Sequence, residues 1–123
     1  MINIVAIFLG GGLGSLCRYG ISKLSAHYFT INFPLGTFIS NIVSCVILAG
    51  SLLWFNDKMG INTALKLFLI TGFCGGFSTF STFSVETFEL LKTGNYMVAL
   101  LNITISVLFG VGIIYFLLKN QVQ

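Results

Sequence analysis

The chain has 123 residues, of which 56% are hydrophobic and 7% are charged, and its mean hydropathy is +1.00. A soluble domain carries about 25% charged residues, so this chain has too few charges to cover a surface that faces water, and its composition predicts a membrane protein. The net charge of +3 comes without a basic cluster, which argues against nucleic-acid binding.

Four apolar stretches are long enough to cross the hydrocarbon core of a membrane, which takes about 20 helical residues. Pro34 precedes the second stretch, and proline suits the first turn of a helix. The N-terminal stretch has no basic segment and no small-residue cleavage site, so we expect a retained span rather than a secretory signal. The sequence predicts one all-α transmembrane channel domain over residues 1–123, with spans at residues 3–27, 34–55, 64–90 and 96–118.

The first and fourth spans are rich in glycine. The first contains the run GGGLG at residues 10–14, and the fourth contains Gly110 and Gly112. Small residues let membrane helices approach closely, either within the chain or between two copies, and the sequence leaves both possibilities open. Because four short helices enclose no wide lumen, we expect any transport pathway to lie at a subunit interface.

Polar side chains recur on one face of the second and fourth spans. Thr37, Asn41 and Ser44 share a face of the second span, and Asn102 and Ser106 share a face of the fourth. Polar groups in hydrocarbon usually face a bundle interior or a water-filled cavity. Hydrogen bonding between helices explains them as well as a transport pathway does.

The third span contains the segment GFCGGFSTFSTF, residues 72–83. Glycine costs about 1 kcal/mol relative to alanine inside a helix, and the hydroxyls that follow can bond backbone groups released by a break. We therefore predict a break at mid-membrane. Carbonyls exposed at such a break form a cation site, which two copies related by a two-fold axis would share.

Phe80 and Phe83 are three residues apart and so share a helix face. Ordinary packing is one interpretation. In the other, the electropositive edges of the rings combine with Asn41 and serine hydroxyls into a slot for a small anion. Glu86, near the end of the third span, is expected either to reach the membrane interface or to line the mouth of such a pathway.

The basic residues predict an unusual topology. They divide three against three, with Lys58, Lys66 and Lys119 on one side of the membrane and Arg18, Lys23 and Lys92 on the other. An excess of Lys and Arg normally sets the orientation. The balance therefore predicts insertion both ways and antiparallel pairing, unless one lysine lies too deep to count and a weak bias survives.

Three segments carry a resemblance to a known family. They are GGGLGSLCRYGIS at residues 10–22, FPLGTFISNIVSCVILAG at 33–50 and GFCGGFSTFSTFSVET at 72–87. Together with the length and the four-span layout, they resemble the Fluc (CrcB-like) fluoride channels over essentially the whole chain. The third segment is the most specific, because it joins a glycine pair to TFSTF.

The resemblance implies an antiparallel, dual-topology homodimer with two fluoride pathways in the bacterial inner membrane. Fluoride that enters as neutral HF and dissociates inside would leave passively, driven by the membrane potential. A sodium ion (Na+), central and shared by both copies, is implied at the helix break, where the backbone carbonyls of Gly75 and Ser78 would hold it. Arg18 matches an arginine whose role we expect to be structural or electrostatic.

The same resemblance implies the residues of the fluoride pathway. Phe80 and Phe83 would present ring edges to the ion, Asn41 would donate a hydrogen bond, and Glu86 would lie near the vestibule. The full implied set is Asn41, Phe80, Phe83, Ser81, Thr82, Ser106, Thr37 and Glu86.

Other classes of protein fit less well. A small multidrug exporter needs a carboxylate buried in its first helix, and this chain has no Asp or Glu before Asp57. A non-transporting assembly subunit would explain the glycines but not a hydroxyl-rich third span. An enzyme is not expected, because the sequence has one His and no credible pairing of catalytic side chains.

Overall fold

The computed structural model describes residues 1–57, 60 and 62–121, and every regular element in these ranges is helical. Among the described residues, four helices are long and apolar enough to cross a membrane, which confirms the predicted all-α, four-span architecture. They are α1 (Ile2–Tyr28), α2 (Leu35–Asn56), the third span (Thr63–Lys92) and α4 (Tyr96–Leu118), which continues into a 3-10 turn at Lys119–Gln121.

The first half of the third span, α3a, covers residues 63–77 and is not a uniform α-helix. An α-helical turn at Thr63–Lys66 is followed by a wider π-helical stretch at Leu67–Cys74 and a last turn at Gly75–Phe77. The side chain of Asn62 accepts a hydrogen bond from the Ala64 N–H (2.9 Å) and so caps the start of this half. π-Helical segments occur mostly within α-helices and often at functional sites.

The third span is bent at Ser78 and Thr79. Both residues have extended backbone, with ψ values of 156° and 120°, and the second half of the span, α3b (Phe80–Lys92), begins after them. The break predicted from the glycine and hydroxyl segment is therefore present.

Glycines bring α1 and α3a into direct backbone contact. A Cβ at Gly14 would overlap the Phe73 carbonyl oxygen and lie 2.8 Å from the Phe77 nitrogen. A Cβ at Gly72 would lie 2.8 Å from the Ile7 carbonyl oxygen. Packing within the chain thus accounts for the buried glycines of the first span. Gly12, by contrast, has nothing within 4 Å of its Cβ position.

The other half of the bundle, α2, α3b and α4, is joined by small and polar side chains. Ala49 and Ala99 are buried there, as are the polar residues Thr37, Thr87 and Asn102. Large apolar side chains cover much of the outer surface, as expected of a protein surrounded by lipid.

Candidate functional site

Asn41 of α2 is bonded to the break in the third span. Its Oδ1 accepts a hydrogen bond from the Thr79 N–H (2.8 Å), and its Nδ2 donates to the Thr79 carbonyl (3.4 Å). The amide side chain thus supplies the acceptor that the Thr79 N–H loses at the break, and it adds a second donor to the carbonyl of Thr79, the N-cap residue of α3b. An amide nitrogen has two hydrogens, so the second remains available for another acceptor.

The carbonyls of Gly75 and Ser78 lose their helical donors at the break. In a continuous α-helix they would accept from the N–H groups of Thr79 and Thr82, four residues further on. Those N–H groups donate instead to Asn41 Oδ1 (2.8 Å) and to the Thr79 hydroxyl (3.2 Å). Gly75 is also exposed on the surface of the chain. The break thus releases both carbonyls named as cation ligands, along with those of Gly76 and Phe77.

A hollow of about 270 Å³ lies beside the break. Four of the predicted pathway residues line it together, namely Asn41, Phe80, Phe83 and Ser106. The remaining lining residues are Cys45, Ser78, Thr79 and Val107. None of these side chains carries a formal charge, so the hollow offers an amide, hydroxyls and aromatic rings.

The two phenylalanines differ in exposure. Their ring centroids are 6.0 Å apart and the rings are tilted by 35°. Phe80 is 81% exposed, whereas Phe83 is partly buried. Phe80 therefore belongs to the apolar outer surface of the chain, while Phe83 lies closer to the bundle.

Ser81 and Thr82 do not line the hollow. Thr79 donates its hydroxyl proton to Thr82 Oγ1 (3.1 Å), and its oxygen lies 3.4 Å from Ser81 Oγ. Arg18 donates to Thr82 Oγ1 (3.5 Å) as well. These hydroxyls form a separate cluster around Thr79 at the start of α3b.

Arg18 of α1 is bonded to the third span. The helix continues past it to Tyr28, and the Arg18 Nε donates to the Gly76 carbonyl (3.2 Å). The guanidinium therefore bonds a carbonyl next to the break. Its assignment to one side of the membrane stays a prediction.

Thr37 and Glu86 form a second polar group away from the hollow. The Thr37 hydroxyl donates to Glu86 Oε1 (2.8 Å), while Glu86 Oε2 is buried with no hydrogen-bond partner among the described residues. Glu86 lines two adjoining cavities, of about 330 and 410 Å³, near the start of α2. Its position at the membrane interface or at the mouth of a pathway stays a prediction.

The structure also gives partners to polar residues for which our sequence analysis named none. Thr79 accepts and donates at the centre of the hydroxyl cluster, and Ser44 donates to the Cys74 carbonyl (3.1 Å). Thr87 pairs with Asn102 between α3b and α4 (3.0 Å). The segment STFSTF signalled hydroxyls at the break, but the Thr87 pairing depends on which helix faces meet.

Comparison with known proteins gives a consistent result. Residues 5–117 match the family model described as "CrcB-like protein, Camphor Resistance (CrcB)". The chain is 40% identical over 110 residues to a protein of Flavobacterium psychrophilum, with 89% of each covered. It is 43% identical over 111 residues to one of Pyrococcus abyssi, with 89% of this chain and 87% of the relative covered. Both relatives are named "Fluoride-specific ion channel FluC".

Proposed function

The chain belongs to the CrcB-like family, and from this premise we propose that it is a fluoride-specific ion channel. It exports fluoride passively across the inner membrane of a bacterium and so relieves fluoride toxicity. Each molecule contributes to pathways at the interface of an antiparallel dimer. It is a channel and not an enzyme.

The observation that carries this proposal is the uncharged lining of the hollow beside the break. Asn41, Phe80, Phe83 and Ser106 line one surface there. A conducted ion must bind firmly enough to enter and weakly enough to leave, and amide, hydroxyl and ring-edge groups attract an anion without a full countercharge. The spare hydrogen of Asn41 Nδ2 supplies a donor at this place.

The proposed dimer would complete the hollow. Phe80 is 81% exposed and Gly75 is also exposed, so both are accessible to a second copy. The charge balance supports antiparallel pairing, because Arg18, Lys23 and Lys92 oppose Lys58, Lys66 and Lys119. Of these residues, Lys58 lies outside the described part of the chain.

A test of the dimer uses charge. Two lysines added to the ends of the spans on one side should fix a single orientation and lower fluoride flux. Co-expression with a copy biased the opposite way should restore it. Full activity of one biased copy alone would contradict antiparallel assembly.

The proposed sodium ion fits the groups at the break. The carbonyls of Gly75 and Ser78 would hold it, since their helical donors bond elsewhere, and unwound backbone carbonyls are known ligands of sodium in membrane proteins. When bound, the ion supplies a fixed positive charge between the two copies. Asn41 and Thr79 keep the carbonyls free by occupying the N–H groups that would otherwise bond them.

The second polar group, Thr37 and Glu86, would line the mouth of the pathway. Thr37 and Glu86 are bonded to each other (2.8 Å), so the carboxylate occupies the threonine hydroxyl proton. We assign to Ser81 and Thr82 a supporting role, because they bond Thr79 rather than line the hollow.

Fluoride efflux from liposomes tests the function. Vesicles containing the purified protein and loaded with potassium fluoride, at equal pH inside and outside, should release fluoride when a potassium ionophore is added. Matched vesicles loaded with chloride should retain it. An assembly subunit would release neither anion, and release that requires a proton gradient would identify an exchanger instead of a channel.

A further inference from the structure

A buried chain of hydrogen bonds leads from the hollow into the bundle. Ser106 lines the hollow, and its hydroxyl lies 3.4 Å from Asn102 Oδ1. Asn102 is 1% exposed, and its Nδ2 lies 3.0 Å from Thr87 Oγ1. Thr87 Oγ1 in turn lies 2.7 Å from the carbonyl oxygen of Phe83, another residue of the hollow.

The direction of every hydrogen bond in this series is determined by the last bond, between Thr87 and the Phe83 carbonyl. A carbonyl oxygen only accepts, so the Thr87 hydroxyl must donate its single proton to the Phe83 carbonyl. Thr87 Oγ1 can then only accept from Asn102, which requires the Asn102 Nδ2 to face Thr87. The Asn102 Oδ1 therefore faces Ser106, and the Ser106 hydroxyl donates to it.

The Ser106 proton is consequently held away from the hollow. Its donor–acceptor distance of 3.4 Å is longer than the 2.5–3.0 Å usual for a hydroxyl donor, so this bond is weak and easily exchanged. We propose that Asn102 is a specificity-determining positioning residue, which holds the Ser106 proton and releases it only to an anion that accepts hydrogen bonds more strongly than an amide oxygen.

This proposal rests on the proposed function, because it concerns selection among anions in the hollow. Fluoride concentrates its charge on a small ion and accepts hydrogen bonds more strongly than chloride does. The competition with Asn102 Oδ1 therefore favours fluoride, while a weaker acceptor meets the lone pairs of Ser106 and is repelled. Asn102 does not line the hollow, so any effect on an anion there must pass through the residues that it bonds, and Ser106 is the one that offers a proton.

Asn102→Leu tests the proposal by removing the competing acceptor. The Ser106 hydroxyl should then donate to any halide. We expect the ratio of chloride flux to fluoride flux in liposomes to rise about tenfold, because one hydrogen bond that competes with the anion for the Ser106 proton is removed. A purely structural role of Asn102 would lower both fluxes together. An unchanged ratio would overturn the proposal.

Thr87→Val provides a second route if Asn102→Leu does not assemble. Valine removes the hydroxyl that fixes the Asn102 amide, so that the amide can turn its Nδ2 towards Ser106 and free the serine proton. The flux ratio should rise in the same direction by about threefold, although Thr87 is only 7% exposed and does not line the hollow. An unchanged ratio here would also overturn the proposal.

Two controls complete the experiment. Thr104→Val removes an exposed hydroxyl from the same helix as Asn102 and should leave the ratio unchanged. In a Ser106→Ala background, Asn102→Leu should have no further effect on the ratio, as a double-mutant cycle requires of residues that act through one another. If the unmodified protein passes no fluoride, the proposed function fails; if it discriminates but the variants do not change the ratio, this inference alone fails.

Discussion

The two halves of this bundle are held together by different means. Between α1 and α3a the contact is made by backbone on backbone, with Gly14 and Gly72 leaving no room for a Cβ. Among α2, α3b and α4 the contact is made by side-chain hydrogen bonds, such as those of Asn41 and Asn102. The first half is a rigid support, and the second half holds the polar groups that an ion would meet.

The largest effect is expected from a substitution in the glycine-packed half. Gly14→Ala would place a methyl group on the backbone at Phe73 and Phe77, where backbone cannot give way as a flexible side chain would. We expect a loss of about 3 kcal/mol in the free energy of unfolding. Thermal unfolding in detergent measures it, and Gly12→Ala, with open space around it, is the matched control. Equal stability of the two variants would contradict the contrast between the halves.

A smaller effect, confined to transport, is expected from the rings of the polar half. Phe80→Ile and Phe83→Ile remove the electropositive ring edges but keep a large apolar side chain, so each should lower fluoride flux about tenfold while the protein still assembles. Flux is measured in liposomes and assembly by gel filtration. Phe8→Ile, at a site 76% exposed on α1, should have no effect. Normal fluoride flux through both ring variants would show that the rings serve only to pack the structure.

The smallest effect is expected where the two halves meet. Ser44 of α2 donates to the Cys74 carbonyl of α3a (3.1 Å), away from the hollow. Ser44→Ala should cost about 1 kcal/mol of stability, as for one hydrogen bond, and should leave fluoride flux near that of the unmodified protein. A large fall in flux at unchanged stability would place the serine in the pathway instead.

The architecture was predictable because its signals are local. The length of each apolar stretch predicted the four spans, and the segment GFCGGFSTFSTF predicted the break, since glycine and hydroxyl residues weaken a helix wherever they occur. The juxtaposition of Asn41, Phe80, Phe83 and Ser106 was expected from resemblance to a family.

Other features depend on contacts between helices that are distant in sequence. The bond of Arg18 to the Gly76 carbonyl depends on how α1 is placed along α3a. The pairing of Asn102 with Thr87 likewise requires knowledge of the faces that α3b and α4 turn to each other. Periodicity along one helix identifies a polar face but not the partner of that face.

The fixed packing of α1 on α3a also bears on the kinetics of transport. Where backbone touches backbone at Gly14 and Gly72, no hinge is available, and the two segments behave as a single stiff body. Passage of an ion would then call on hydroxyl rotation and ring libration in the opposite half, which are motions of nanoseconds or less, rather than on the slow swing of one helix past another.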